Sequence, residues 1–234
     1  MNTEPIRRRK LSHEVLDRLL ARLRAGAFPI GSTLPSEREL MEQFGVGRPA
    51  VREALQALER MGFIAIAHGE GARVQALSAD AMIGQITDAA IHMLSTSEDL
   101  LEQLKDARVF FESGIVRIAA EHRSEEALTA LSEALERNRA SIDDPSAFHA
   151  TDMAFHRAIA EAVGNPIYSA VSRAMLDWLS EFQSQLVRNP GAEKSIYQEH
   201  RAIFERIDAR DPDGAADAMT VHLTRANLRY QISG

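Results

Sequence analysis

Hydrophobic side chains recur along the chain with the three- and four-residue spacing of amphipathic helices almost from its start. The first such series predicts a helix with an apolar face formed by Leu11, Val15, Leu16, Leu19, Leu20 and Leu23. Residues 26–31 contain two glycines and a proline, which end this helix.

Two shorter helices joined by a tight turn are predicted within residues 35–62. Ser36 and Glu39 have the spacing of a capping box, in which the hydroxyl and the carboxylate each satisfy a backbone amide at the start of a helix. Gly45 is expected to end that helix, because glycine adopts the left-handed conformation at little cost.

The second of these helices is expected to begin at about Arg48, with Pro49 tolerated in its first turn. Its buried stripe consists of Val51, Leu55 and Leu58. On the outward face, Arg48 and Arg52 lie one turn apart and Gln56 continues the row. Arg and Gln read guanine and adenine edges in a DNA major groove, so the pair favours a helix-turn-helix. The alternative is an ordinary helical pair with solvated arginines.

A short β-hairpin is predicted directly after the helix pair. Residues 63–66 and 72–75 are β-like runs, and the residues between them favour a turn. The tip of this hairpin, or wing, carries His68 and Gly69, and Arg73 lies on the second run. Glycine at the tip permits close approach to DNA. Residues 1–76 are therefore expected to form a winged helix-turn-helix domain.

From residue 78 onward the pattern is helical, without strand alternation or internal repeats. It predicts seven helices at about residues 79–94, 97–121, 124–140, 146–163, 166–187, 192–209 and 212–231, separated by breaks rich in Pro, Gly and Asp. The expected fold class is therefore mainly α, with a second, all-helical domain over residues 77–234.

The charge is distributed unevenly between the two predicted domains. Residues 1–76 carry 12 Lys+Arg and 9 Asp+Glu, a net charge of +3, although the whole chain has a net charge of −7. The remainder carries 15 and 25 such residues, a net charge of −10. A basic first domain attracts phosphate, and an acidic second domain is held away from the duplex. The run Arg-Arg-Arg-Lys at residues 7–10 predicts an arm on DNA, with a solubilising tail as the alternative.

The composition also limits the compartment and the kind of metal site. The chain contains no cysteine, which excludes disulfides and thiolate metal sites and fits a reducing cytoplasm. The basic N-terminus is not followed by an apolar segment, and no run of about 18 apolar residues is present. We therefore expect a soluble, cytoplasmic protein that does not insert into a membrane.

Four residues of the second domain form a candidate metal site without cysteine. Asp152 and His156 are four positions apart and therefore face the same side of a helix, and His200 and His222 lie on two later predicted helices. Three imidazoles and a carboxylate suit zinc, with nickel, manganese and iron as alternatives. Spacing alone is a weak signal, because surface or core histidines also produce it.

Several motifs resemble those of a known family. Leu34-Pro-Ser-Glu-Arg-Glu-Leu40, Val46-Gly-Arg-Pro-Ala-Val-Arg-Glu-Ala-Leu55 and the wing after Gly62 are similar to the DNA-binding domain of GntR-family bacterial regulators. The helical remainder resembles the FCD ligand-binding domain of the FadR branch of that family.

The resemblance implies roles for residues of the first domain. Arg38, Arg48 and Arg52 are expected to contact DNA, and His68 and Gly69 to lie at the wing tip. For Arg38, a phosphate or base contact is favoured over a salt bridge. Some relatives have threonines where this chain has Gly47, Pro49 and Ala50, so no operator sequence is implied.

In metal-binding FCD domains, an Asp-x-x-x-His pair and two later histidines hold the ion, and the corresponding residues here are Asp152, His156, His200 and His222. Arg108 matches an arginine that points into the same cavity, where its planar fork suits a carboxylate. The alternative is that Arg108 pairs with Glu112 one turn along its helix.

Blocks at residues 48–55, 104–113, 164–167 and 176–179 narrow the resemblance to a member that responds to sialic acid. The resemblance thus implies a homodimeric repressor that binds double-stranded operator DNA and is released by a small carboxylate or an acidic sugar. Two alternatives remain open: a metalloenzyme acting on a small organic acid, and an ion with a purely structural role.

Overall fold

The computed structural model of the chain describes residues 10–67, 71–76, 78–182 and 191–229. The chain forms two compact units that divide between Gln85 and Ile86. This division falls later than the boundary after residue 76 placed by the sequence analysis, because a short helix, α4 (Ala79–Gly84), clusters with the first unit.

The first unit begins with three helices and two short strands, which precede α4. These are α1 (Leu11–Arg24), α2 (Glu37–Phe44), α3 (Arg48–Arg60), β1 (Ile64–Ala67) and β2 (Gly71–Val74). Their order is that of a winged helix-turn-helix, as predicted.

The start and the end of α2 follow from the local chemistry of its sequence. The Ser36 backbone amide donates to the Glu39 carboxylate at 2.8 Å, and the Glu39 amide donates to the Ser36 hydroxyl at 3.3 Å. The predicted capping box is therefore confirmed. Gly45 ends the helix with φ +63°, in the left-handed region that glycine enters readily. α3 begins two residues after Val46, with Gly47 preceding its first turn.

The wing is a two-stranded antiparallel sheet, in which Ile64 pairs with Val74 and Ala67 with Gly71. The segment before α2 lies along β2, the second strand of the wing. The Gly31 amide donates to the Val74 carbonyl at 2.9 Å, and the Leu34 amide donates to the Ala72 carbonyl at 2.7 Å. The wing is thus fixed to the helix-turn-helix by backbone hydrogen bonds.

The apolar faces predicted from sequence form the core of this unit. Its buried side chains include Val15, Leu19, Leu40, Val51, Leu55, Leu58, Ile64 and Val74. α1, α2, α3 and the wing all contribute to this core, which holds the outward face of α3 in place.

The second unit is all helical over its described residues. Its helices are α5 (Thr87–Ser95), α6 (Glu98–His122), α7 (Glu125–Ala140), α8 (Pro145–Ala162), α9 (Pro166–Phe182), α10 (Glu193–Asp208) and α11 (Pro212–Arg229). The helix predicted at about residues 79–94 is instead interrupted at Gln85 and Ile86, after the poor helix former Gly84, and forms α4 and α5. The predicted ends at 187 and 231 lie outside the described residues.

The long helix α6 is central to the second unit and packs against α8, α9, α10 and α11. The largest apolar cluster includes Val116, Leu131, Phe155, Ile203, Met219 and Leu223, from five different helices. None of the described helices combines the length and apolar character needed to cross a membrane.

Candidate metal centre and nucleic-acid interface

The outward face of α3 presents the two arginines predicted to read DNA. The Arg48 and Arg52 side chains are 68% and 59% exposed, and Gln56 on the same helix is also exposed. Both arginines interact with Glu37 of α2: Arg48 Nε donates to Oε2 at 2.7 Å, and Arg52 Nε lies 3.6 Å from Oε1. One carboxylate therefore orients two cations across the turn between α2 and α3.

Arg38 forms the salt bridge that the sequence analysis considered less favoured. Its Nη1 donates to Glu42 Oε1 at 2.9 Å, one turn along α2. Both side chains are largely exposed, and exposed ion pairs contribute little to stability, so phosphate can replace the carboxylate at small cost. The predicted wing-tip residues His68 and Gly69 lie outside the described residues.

The wing is held against α3 and the preceding loop by side chains. Glu59 of α3 accepts a 2.9 Å hydrogen bond from the Ile66 amide, and Arg73 donates to the Gly31 carbonyl at 2.7 Å. Arg73 therefore anchors the wing to the loop before α2.

The four predicted metal ligands converge in the second unit from three helices. Asp152 and His156 lie on α8, His200 on α10 and His222 on α11. All four are buried, and one ligand atom from each lies within 4.8 Å of the others. The sequence analysis thus identified the members of a cluster whose parts are up to 70 residues apart (from Asp152 to His222).

Each imidazole is oriented by an acceptor on its outer side. The Nδ1 atoms of His156, His222 and His200 contact Glu112 Oε2, Glu199 Oε2 at 2.9 Å and Asn138 Oδ1 at 2.9 Å, respectively. Because a carboxylate can only accept, Nδ1 of His156 and of His222 must carry the proton. The Asn138 amide nitrogen donates to Thr151 at 3.1 Å, which leaves its oxygen for His200. All three histidines can therefore present an unprotonated Nε2 to the interior.

Two distances at the centre suit a shared cation. His156 Nε2 lies 3.2 Å from His222 Nε2, and His200 Nε2 lies 3.2 Å from Asp152 Oδ1. Ligands bound at 2.0–2.1 Å to a tetrahedral ion would be roughly 3.3–3.4 Å apart. The unprotonated Nε2 atoms of His156 and His222 repel each other at 3.2 Å. His200 Nε2 is buried without a hydrogen bond of acceptable geometry. The donor set therefore fits a divalent metal ion.

Burial keeps two of the histidines in the neutral form that binds metal. It lowers the pKa of His200, and it lowers the pKa of His222 to about 4 despite the hydrogen bond to Glu199. Burial raises the pKa of Asp152, but the contact with His200 and the nearby His156 and His222 together outweigh this, so the pKa is lowered. His200, His222 and Asp152 thus have the protonation states that metal binding requires.

Arg108 of α6 is buried beside this cluster. Its Nε donates to Glu112 Oε1 at 2.5 Å, while the other oxygen of Glu112 contacts His156. Burial raises the pKa of Glu112, but Arg108 and His156 lower it to about 2. The alternative pairing with Glu112 is therefore present, and it connects Arg108 to a predicted ligand through one carboxylate.

The sequence analysis did not identify the acceptors behind the imidazoles. Glu112 appeared only as a partner for Arg108, and Glu199 and Asn138 were not singled out. Glu199 directly precedes His200 but orients His222, 23 residues away, and Asn138 lies 62 residues before His200. Only the four-residue spacing of Arg108 and Glu112 gave a local signal.

Comparisons with known proteins agree with this architecture. The family description "Bacterial regulatory proteins, gntR family" matches residues 11–74, and "FCD domain" matches residues 103–225. The chain is 43% identical to the HTH-type transcriptional repressor NanR of Klebsiella aerogenes and 42% identical to NanR of Escherichia coli K12. These matches cover 100% of this chain and 90% and 89% of the relatives.

Solved structures of low sequence identity share the fold. Streptococcus agalactiae GntR, at 23% identity, matches with a TM-score of 0.70 over 93% of this chain and 99% of its own. E. coli McbR/YncC, at 20% identity, matches with a TM-score of 0.51 over 95% and 98%.

The NanR relatives are transcriptional repressors and the matched family is one of bacterial regulatory proteins, which removes the metalloenzyme alternative. The first unit, with its exposed arginines, and the helical unit that follows it in the sequence both match models of this family: the chain belongs to the GntR family of bacterial regulatory proteins and carries an FCD domain.

Proposed function

We propose that the protein is a metal-containing, ligand-responsive repressor. It binds a palindromic operator as a homodimer and is released by a small carboxylate, with an acidic sugar such as sialic acid as the favoured effector. The observation that carries the proposal is the inward convergence of three imidazoles whose outer nitrogens are each held by an acceptor.

The ion would be held by Asp152, His156, His200 and His222, with zinc as the favoured metal and nickel, manganese or iron as alternatives. Such an ion would act as a Lewis acid and could accept an oxygen of the effector carboxylate. The support is the donor set itself: three nitrogens and one oxygen, all buried, without a thiolate.

Arg108 is proposed to bind the effector carboxylate beside the ion. Its guanidinium offers several donors in a fixed fork, of which Nε contacts Glu112. An incoming carboxylate would share or replace that contact, and this would change the group that orients His156. Effector binding and the geometry of the ligand set are therefore coupled through Glu112.

Operator binding is proposed for Arg38, Arg48 and Arg52, with His68 and Gly69 at the wing tip. The three arginines are exposed, and their partners are surface carboxylates that phosphate can replace. Arg48 and Arg52 are the proposed base-reading residues, because they lie on the outward face of the second helix.

Release by an effector requires a difference in affinity. An acid weakens operator binding only to the extent that it binds the DNA-free conformation more tightly than the DNA-binding conformation. Typical couplings of this kind change affinity by about 5–150-fold. The names of the NanR relatives support a repressor, and the resemblance in the α6 and α9 blocks supports an acidic sugar.

The test combines metal analysis with operator binding. A DNA fragment selected by the protein from a random pool is titrated by fluorescence anisotropy in the presence of sialic acid, glucuronate, gluconate or neutral glucose. We expect one metal ion per chain, and at least fivefold weaker DNA binding with an acid but not with glucose. The His200→Ala variant should bind DNA and fail to respond.

If chelation lowers thermal stability while none of the acids changes operator affinity, the ion is structural and the effector part of the proposal is wrong. If the purified protein cannot be loaded with any of the four metals, the metal part is wrong. Neither result affects assignment to the family.

A further inference from the structure

An acidic side chain lies between the two arginines proposed to read DNA. Glu37, in the first turn of α2, accepts a hydrogen bond from Arg48 Nε at 2.7 Å with one oxygen, and its other oxygen lies 3.6 Å from Arg52 Nε. A carboxylate at this place repels the phosphates of a bound duplex and lowers affinity for DNA of any sequence. Its position on the proposed DNA-binding face therefore requires a compensating role.

Glu37 lies against the same nitrogen of both guanidinium groups. In Arg48 and in Arg52 this is Nε, the nitrogen closest to the aliphatic part of the side chain. Two parallel N–H donors at the end of an arginine fork match O6 and N7 of guanine. Among the described residues, none accepts a hydrogen bond from the terminal nitrogens of either arginine. The carboxylate thus restrains the base of each fork and leaves its end for a nucleobase.

Glu37 is less solvated than the other acids that form ion pairs in the described part of the first unit. Its side chain is 33% exposed, whereas those of Glu14, Glu42 and Glu53 are 52%, 65% and 52% exposed. It lines a cavity of about 260 Å³ between the start of α2, α3 and the wing, together with Arg52. Water and salt screen an ion pair less in such a place, so Glu37 restrains its partners more than a fully exposed acid would.

We propose that Glu37 is a positioning residue that raises discrimination between DNA sequences while it lowers affinity for DNA in general. On a matching operator, the guanine contacts and the Glu37 contacts coexist, because they use different nitrogens of Arg48 and Arg52. On other DNA, each arginine has to leave Glu37 in order to reach a phosphate, so the carboxylate competes with the backbone. Specificity is a difference between two affinities, and weakening the wrong complex increases it.

A purely stabilising role for Glu37 makes a different prediction. An acid in the first turn of a helix interacts favourably with the helix dipole, and Glu37 occupies such a position in α2. If this were its whole role, its replacement would weaken binding to all DNA equally, through loss of folded protein. The inference rests on the proposed reading of bases by Arg48 and Arg52, and it adds the residue that controls how they choose between base and phosphate.

The test compares the full-length, metal-loaded Glu37→Gln variant with the unsubstituted protein. Fluorescence anisotropy measures affinity for the DNA fragment selected from a random pool and for a scrambled version of it, at several salt concentrations. Glutamine has the size of glutamate and removes only its charge. We expect affinity for the scrambled fragment to rise at least about twofold, and its logarithmic salt slope to steepen by up to about 2, since each new phosphate contact adds roughly 0.9.

The ratio of the two affinities should fall at least about fivefold in Glu37→Gln, because one bidentate guanine contact corresponds to about 5–150-fold discrimination. Glu53→Gln is the matched control. It removes one negative charge from α3, but the Glu53 carboxylate lies 3.9 Å from Lys10 and forms no described ion pair with Arg48 or Arg52. This variant should keep the ratio within about twofold, because an exposed pair of this kind contributes little.

A second variant, Glu37→Asp, retains the negative charge at the start of α2 but shortens the reach to both arginines. It should lose discrimination without a change in the urea midpoint, which a helix-stabilising role alone does not predict. The proposal is overturned if Glu37→Gln leaves the ratio unchanged, if it weakens binding to both fragments equally with an unaltered salt slope, or if Glu53→Gln lowers the ratio as much. Failure of the proposed function would appear separately, as unchanged discrimination in both Arg48→Ala and Arg52→Ala.

Discussion

Replacement of Glu112 by glutamine should weaken metal binding although Glu112 is not one of the four proposed ligands. Glutamine has the same size and retains an oxygen that accepts the His156 Nδ1 proton. It removes a full negative charge, because interactions with Arg108 and His156 overcome the effect of burial and hold the pKa of Glu112 at about 2. The substitution therefore tests the charge behind the imidazole rather than the shape of the site.

The expected magnitude follows from the contacts of Glu112. Partners that orient a metal-bound histidine typically contribute about 10–100-fold to metal affinity. This corresponds to roughly 1.4–2.8 kcal/mol. The Glu112 and Arg108 side chains are each only 6% exposed, so Arg108 would also lose a carboxylate in a poorly solvated environment. Breaking a buried ion pair in this way lowers the free energy of unfolding by about 3–5 kcal/mol. Arg108 keeps other contacts, so we expect a loss of stability at the lower end of that range.

The assay is a zinc competition titration against a chromophoric chelator at neutral pH, with circular dichroism to confirm folding. Glu102→Gln is the matched control, because Glu102 is also an acid on α6 and pairs with Lys105 at 2.7 Å. Its side chain is 61% exposed and it makes none of the three contacts to Nδ1 described above, so zinc affinity should change less than about threefold. Equal zinc affinities for the Glu112→Gln variant and the unsubstituted protein would refute the reasoning, as would equal losses in the two variants.

Three further outcomes are expected. Arg52→Ala should reduce discrimination between operator and scrambled DNA by about 1–3 kcal/mol in a salt-controlled anisotropy assay, and unchanged specificity would contradict base reading. Ser36→Ala removes the hydroxyl of the capping box and should destabilise the first unit by about 1 kcal/mol in urea denaturation; an unchanged midpoint would show that the cap is redundant. Chelation should lower the stability of the metal-loaded protein by about 4 kcal/mol at an initial free metal concentration of 1,000 Kd. The His200→Ala variant should be insensitive to the chelator, and an equal loss of stability there would exclude His200 as a ligand.

The elements that were predicted correctly from the sequence are those determined by interactions between residues only a few positions apart. The capping box of α2 needs only Ser36 and Glu39, and the end of that helix needs only Gly45. Both signals act within a single turn, so tertiary packing did not override them. The hydrophobic stripe of α3 was equally local, since its period alone defines the buried face.

The predictions that needed correction or addition depend on longer distances. The continuous helix expected over residues 79–94 is divided at Gln85 and Ile86, the point at which the two compact units separate. Periodicity does not detect such a division, because apolar residues continue at helical spacing across it. The positions of Glu112 and Glu199 behind the histidines depend on how helices pack, which no local pattern specifies.

The balance of buried charge would let the proposed site hold both a divalent cation and an acidic effector. Arg108, Glu112, Asp152 and Glu199 are all at most 12% exposed, and with neutral imidazoles these four side chains sum to a charge of −2. The 59% exposed Arg225 offsets part of this charge through its 3.2 Å contact with Glu199. A net negative charge in a poorly solvated interior is costly, and a divalent cation would offset the remainder. An effector carboxylate would bring in a further negative charge, which a cation already present would have to balance. Arg108 is the buried cation that contacts Glu112, so the acid would take over part of that contact. In this proposal the acid would therefore not bind without changing the group that orients His156, and that change is the difference between two arrangements that a ligand-controlled repressor requires.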